Sequence, residues 1–139
     1  MSSAETEVEA VLRANRAFYS AIESGDADLL RAVWTVAPES VCLHPGMAPL
    51  HDTEAILRSW TMVMAGTPYI QFFLTDVQVT VHGDVAAVTL DENVLVAGED
   101  TPAGMFQGGG TRAVNVFTKV GGQWRMWLHQ ASPVVSGPS

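Results

Sequence analysis

Residues 69–96 read YIQFFLTDVQVTVHGDVAAVTLDENVLV. The stretch is rich in β-branched and aromatic residues, and from Asp76 it alternates Val77, Val79 and Val81 against Gln78, Thr80 and His82. That period of two belongs to a strand with one buried face. His82-Gly83-Asp84 is a hairpin signal, and residues 85–96 form the return strand. Downstream, Thr111 to Val120 predicts a third strand, Gly121-Gly122 a tight turn, and Gln123 to Ala131 a fourth strand. The intervening 98–110 holds five glycines and a proline, the composition of a loop that could rim or cover a site.

Upstream the period changes. Val8, Val11, Leu12, Asn15, Phe18, Tyr19 and Ile22 recur at helical spacing, with Asn15 and Tyr19 near the middle of the apolar face. Ser24-Gly25-Asp26 stops this helix and starts a second, which carries Leu29, Leu30, Val33 and Trp34. Residues 40–44 form a short extended run, broken by Pro45-Gly46. Asp52-Thr53-Glu54 opens a third helix with Ile56, Trp60, Val63 and Met64 on one side, closed by Gly66-Thr67-Pro68. Three helices followed by a meander of long strands predict an α+β domain, with the helices packed in the concave face of a curved antiparallel sheet. The 139 residues fit one domain, 1–139, with an ordered core of about 5–133.

Composition narrows the function. The apolar fraction of 47% excludes a disordered chain, and the net charge of −8 argues against a nucleic-acid partner, which needs clustered Lys and Arg. No apolar run reaches the ~18 residues that span a bilayer, and the polar, acidic first residues do not read as a signal peptide. The single cysteine, Cys42, has no intrachain partner, so a cytoplasmic setting is expected.

Particular residues sharpen the reading. Ser24-Gly25-Asp26, Val41-Cys42-Leu43-His44-Pro45-Gly46, the Ser59-Trp60 pair, Asn115-Val116-Phe117, and the run from Trp124 through His129-Gln130-Ala131-Ser132-Pro133 resemble, in this order, the nuclear-transport-factor-2-like superfamily in its bacterial SnoaL-like branch. That superfamily includes ketosteroid isomerases, polyketide cyclases, limonene epoxide hydrolase and the association domain of calcium/calmodulin-dependent kinase II. The resemblance covers roughly Val8 to Pro133. It implies a deep conical pocket between helices and sheet, a homodimer through the outer sheet face, and a place in bacterial secondary metabolism. It does not imply one reaction, because such folds host many chemistries.

Set beside a ketosteroid isomerase, the oxyanion-hole tyrosine falls on Phe18, the base aspartate on His44 and the protonated aspartate on Asn115. None matches, so that mechanism is not expected. The replacements still carry chemistry: His44 can take or give a proton, and Asn115 can donate to a developing oxyanion. Glu92 is a carboxylate on the face of Val88, Leu90 and Val94, where burial or pairing must shift its pKa. Asp91 and Asn93 belong to the opposite face. His129 and Gln130 take opposite faces of the last strand, and alternation alone leaves open which one lines the pocket. Tyr19, Trp34, Trp60 and Phe117 are candidate pocket walls, Tyr19 and Trp60 the better ones for their polar tips. Cys42 is expected on the strand face opposite His44, which would exclude a Cys–His pair.

There is no phosphate-binding glycine loop, zinc pattern or nucleophile elbow. The leading expectation is therefore a cofactor-independent enzyme of cyclase or isomerase type, working without a metal on an apolar, carbonyl-bearing small molecule. His44, Asn115, Glu92 and His129 would be its catalytic groups, with Tyr19, Trp34, Trp60, Phe117 and Gln130 as substrate contacts. The alternatives are a non-catalytic ligand-binding or dimerisation module, and an epoxide-hydrolase-like activation of water by Glu92 and Asn115.

Overall fold

In a computed structural model, residues 5–97 and 107–133 are described. The first helix, α1 (Glu7–Ser24), starts at a reciprocal cap: the Thr6 hydroxyl accepts from the Glu9 N–H, and the Glu9 carboxylate accepts from the Thr6 N–H. It ends at Gly25, whose φ of 67° takes the left-handed turn that a side chain would strain. Asp26 then caps α2 (Ala27–Val33) by accepting from the N–H groups of Asp28 and Leu29. After β1 (Val41–Leu43) and β2 (Leu50–His51) comes α3 (Thr53–Gly66). The long strands follow: β3 (Tyr69–His82), β4 (Val85–Ala97), β5 (Gln107–Val120) and β6 (Gln123–Pro133).

The six strands form one unclosed sheet in the order β2-β1-β6-β5-β4-β3. The meander from β3 to β6 is antiparallel, as the alternation predicts. The short run before Pro45 adds the one departure: β1 pairs parallel with β6, Cys42 opposite His129, which makes the sheet mixed. Strand β5 also begins earlier than expected. Gly108, Gly109 and Gly110 pair with Leu95, Val94 and Asn93. Glycine leaves no side-chain pattern to read, but its N–H and C=O still complete a ladder. The rest of the expected loop, 98–106, lies outside the described residues.

Two bulges bend the sheet around the helices. Between Thr75 and Gln78 two residues of β3 face one of β4, and Asp76 there has a φ of 51°. The second lies in β6, opposite the step from Val116 to Phe117: Phe117 faces Met126 and Val116 faces Leu128, leaving Trp127 as the extra residue. Ala86, Val88, Leu90, Ala113, Phe117, Met126 and Ala131 point inward against Val11, Phe18, Ile22, Leu30 and Ile56.

Thr53 fastens the start of α3 to the segment after α2. Its hydroxyl accepts from the Ala37 N–H at 3.0 Å and donates to the Thr35 carbonyl at 2.6 Å, with the residue 1% exposed. Thr53→Val keeps the shape and strands both partners. We expect a loss of about 1–3 kcal/mol, read from the urea midpoint.

Candidate functional site

One helix and three strands deliver a line of polar side chains into the apolar interior. From α1 come Asn15 and Tyr19, one helical turn apart, so both project from one face. From β4 comes Glu92. Directly opposite it on β5 is Thr111, with Asn115 four residues further along on the same face. His129 on β6 lies opposite Asn115. Glu92, Asn115, Asn15 and His129 are all 5% exposed or less.

Their hydrogen bonds form one connected chain. The Glu92 carboxyl accepts from Tyr19 Oη at 2.6 Å and from Thr111 Oγ1 at 2.5 Å. Asn115 Nδ2 donates to Tyr19 Oη at 3.0 Å and to Asn15 Oδ1 at 2.8 Å. The Asn115 amide hydrogens are thereby spent, so its Oδ1 accepts from His129 Nδ1 at 2.6 Å. That bond puts the His129 proton on Nδ1 and leaves Nε2 bare.

Burial dominates the electrostatics. It raises the Glu92 pKa, and the two hydroxyl donors only partly offset this. It also raises the Tyr19 pKa, helped by the nearby Glu92 charge. Burial, and then His44, push His129 down to about 3. The ion pairs among the described residues lie at the surface, Arg112 with Asp91 and Lys119 with Glu7 for example, and none reaches Glu92.

His44 forms a second centre. Its Nε2 lies 2.6 Å from Ser59 Oγ and 3.8 Å from Cys42 Sγ. The Cys42 contact corrects the expectation of opposite faces: residues two apart on a strand share a face. The Trp60 ring bridges the two centres, 4.7 Å from the His44 ring and 5.7 Å from that of His129. His44, Glu92, Asn115, His129, Tyr19 and Trp60 are therefore brought together. Trp34 and Phe117 are fully buried further along: Phe117 opposes Met126, and Trp34 bridges to that same residue, toward the Gly121-Gly122 turn. Gln130 lies on the outward face, where its amide donates to Ser132. The Trp127 bulge settles this choice, because the extra residue sets the phase of all that follows it.

Glu92 and Asn115 do not bond each other; both bond Tyr19. Asn15, Thr111 and Ser59 complete the site beyond the residues predicted for it. Asn15 is a polar residue on an apolar helix face and Thr111 shares the face of Asn115, so both left a trace in the sequence. Ser59 left none. Among the described residues no three His, Cys, Asp or Glu side chains group to hold a metal ion. A cavity of 410 Å³ between α1 and β3 reaches Asn15 and Tyr19, with Leu12, Phe72 and Leu74 beside the charged Arg16 and Glu23 on its wall. Another of 510 Å³ lies against the outer side of α1 and α2 and touches none of the polar chain.

The SnoaL-like domain family matches residues 11–136. The chain belongs to the SnoaL-like family. A solved structure from Streptomyces avermitilis, described as a proposed dehydratase of the NTF2-like family, is 42% identical to this SnoaL-like chain. That match covers 94% of this chain and 97% of the other, with a TM-score of 0.85. A proposed calcium/calmodulin-dependent protein kinase type II association domain from Thiobacillus denitrificans is 29% identical over 88% and 93% of the two chains, at 0.76. A nuclear transport factor 2 superfamily protein from Salmonella enterica is similar at 20% identity over 91% of each, at 0.81, which speaks for the fold alone. None of the curated proteins matches this SnoaL-like chain. Its helices and curved, unclosed sheet are those of the nuclear-transport-factor-2-like superfamily, and no helix among the described residues is long and apolar enough to cross a membrane.

The polar chain makes stability depend on pH. His129 is held neutral in the fold, with a pKa below its ordinary 6.5, so below that pH the unfolded chain binds a proton that the native one refuses. Its contribution is full above 6.5 and is lost as pH falls toward about 3. The slope is at most about 1.4 kcal/mol per pH unit. Glu92 has the opposite sign, costing stability as pH rises from its ordinary 4.5 through its raised native value. We expect His129→Gln to flatten the acid limb and Glu92→Gln to flatten the rising-pH limb, measured by denaturation between pH 3 and pH 8.

Proposed function

We propose that this protein is an acid–base enzyme acting on an apolar, carbonyl-bearing small molecule, by double-bond shift, ring closure, or loss or addition of water. The observation that carries the reading is Glu92: a carboxyl buried among apolar side chains that, among the described residues, pairs with no cation and accepts from the neutral hydroxyls of Tyr19 and Thr111. Burying such a group costs several kcal/mol if it is charged, and a fold gains little from it as plain packing. The proposed dehydratase from Streptomyces avermitilis, 42% identical, supports chemistry in which water is lost.

His44 moves the proton. Burial lowers its pKa, so near neutrality it is an uncharged base. Tyr19 steadies the oxygen on which charge develops. With Glu92 protonated, the carboxyl O–H turns toward Tyr19 Oη, and the phenol hydrogen is released to the substrate. Asn115 Nδ2 holds the same oxygen from the other side. The cleft between α1 and β3 leads to Tyr19, and its 410 Å³ is within the usual range for small-molecule sites.

A second reading is a ligand-binding or dimerising module. It is favoured by one observation: His44, Glu92, Asn115 and His129 each bond to a protein group. Native mass spectrometry separates the two by identifying any co-purified molecule for use as substrate. On the enzyme reading, His44→Ala and Asn115→Ala each lower turnover of that substrate about 100-fold or more. Full turnover in both variants sinks it. We also propose a homodimer through the outward sheet face, where Phe73 is 46% exposed and Val114, Val116 and Leu128 are half-buried. Light scattering should give twice the chain mass, falling to one chain mass in Val116→Asp.

A further inference from the structure

Ser59 and His44 form a pair that the reading above leaves half used. Ser59 sits in α3, whose neighbouring hydroxyl, Thr61, donates to the Leu57 carbonyl at 2.8 Å. That bond, back to the preceding turn, is the ordinary outlet for a helix hydroxyl. The Ser59 hydroxyl goes elsewhere, to His44 Nε2 at 2.6 Å. Burial lowers the His44 pKa, so near neutrality the ring is uncharged and Nε2 can receive the serine hydrogen.

A competing nucleophile touches the same nitrogen. Cys42 Sγ lies 3.8 Å from it, but the thiol is fully buried and its pKa is pushed up to about 12, chiefly by burial. It stays protonated and out of reach. Ser59 is half-buried, whereas His44 is only 9% exposed. The serine oxygen is therefore the end of the pair that an incoming molecule meets. Trp60, the next residue, packs its ring on His44.

We propose that Ser59 is an acyl-accepting nucleophile activated by His44, open to activated esters and to phosphonyl fluorides. This is an activity distinct from the acid–base reaction above. Ser59 Oγ attacks the ester carbonyl carbon while its proton passes to His44 Nε2. The bond from that carbon to the leaving oxygen breaks, and the leaving alkoxide takes the proton from His44. Ser59 is left as an ester and His44 neutral. A water molecule, giving its proton to His44, then attacks the same carbon; the Ser59 C–O bond breaks, Ser59 regains its proton, and a carboxylic acid departs.

The test treats the full chain with p-nitrophenyl acetate, and separately with an alkyl fluorophosphonate, followed by intact-mass measurement and peptide mapping. We expect one adduct, on Ser59, none in Ser59→Ala, and a rate at least 100-fold lower in His44→Gln. The wild-type rate should fall as pH drops below the ordinary histidine range. Folded wild-type protein that gains no adduct on Ser59 overturns the proposal, whatever the variants do. So does an adduct on Ser59 that forms equally fast in a folded His44→Gln variant.

Discussion

The hydrogen bond from Tyr19 to Glu92 joins α1 to strand β4 through two buried side chains. The chain of buried polar groups from Glu92 to His129 follows from it. Glu92 needs donors because it is buried; Tyr19 and Thr111 supply them. The Tyr19 oxygen then needs a donor of its own, which Asn115 provides, and the Asn115 carbonyl in turn calls for the His129 N–H. Each group satisfies the next, so deleting one leaves a buried partner exposed to the full cost of desolvation. The apolar packing around α1 sets how strong these bonds are, and the bonds set where α1 can sit.

Much of the fold was legible because its local signals agree. The Gly25 stop, the Asp26 cap and the Gly83 and Gly121 turns stand where periodicity changes. The parallel strand β1 was not legible, since three residues carry no pattern that names a partner. Nor were Gly108 to Gly110 readable as a strand, for want of side chains. In the site, Glu92 and Asn115 announced themselves as polar residues in apolar strands. The pairing of His44 with Ser59 did not, because it joins a strand end to a helix 15 residues away and depends wholly on tertiary placement. The face of His129 was undecidable for a third reason: a strand that contains a bulge has no single alternation.

Membership of the SnoaL-like family and the placement of the polar residues bear on different questions. The family accounts for the shape: helices held in the hollow of a sheet that bends but does not close. The residues account for the hydrogen-bonded chain inside it. Carboxyl, phenol, amide and imidazole groups stand there without a permanent charge to anchor them. On the reading proposed above, such groups would suit an uncharged ligand, and reactivity would rest on where a few protons lie.

The extra residue at Trp127 has a consequence for how this architecture diversifies. Upstream of it β6 turns even-numbered residues inward; downstream it turns odd-numbered ones inward. Were the bulge absent and the strand regular, the same residues in the same order would turn Leu128 and Gln130 inward and His129 outward. A relative could thus share nearly every amino acid with this chain and still present a different interior. Register as well as identity is inherited information, and a comparison of residues alone would miss the change.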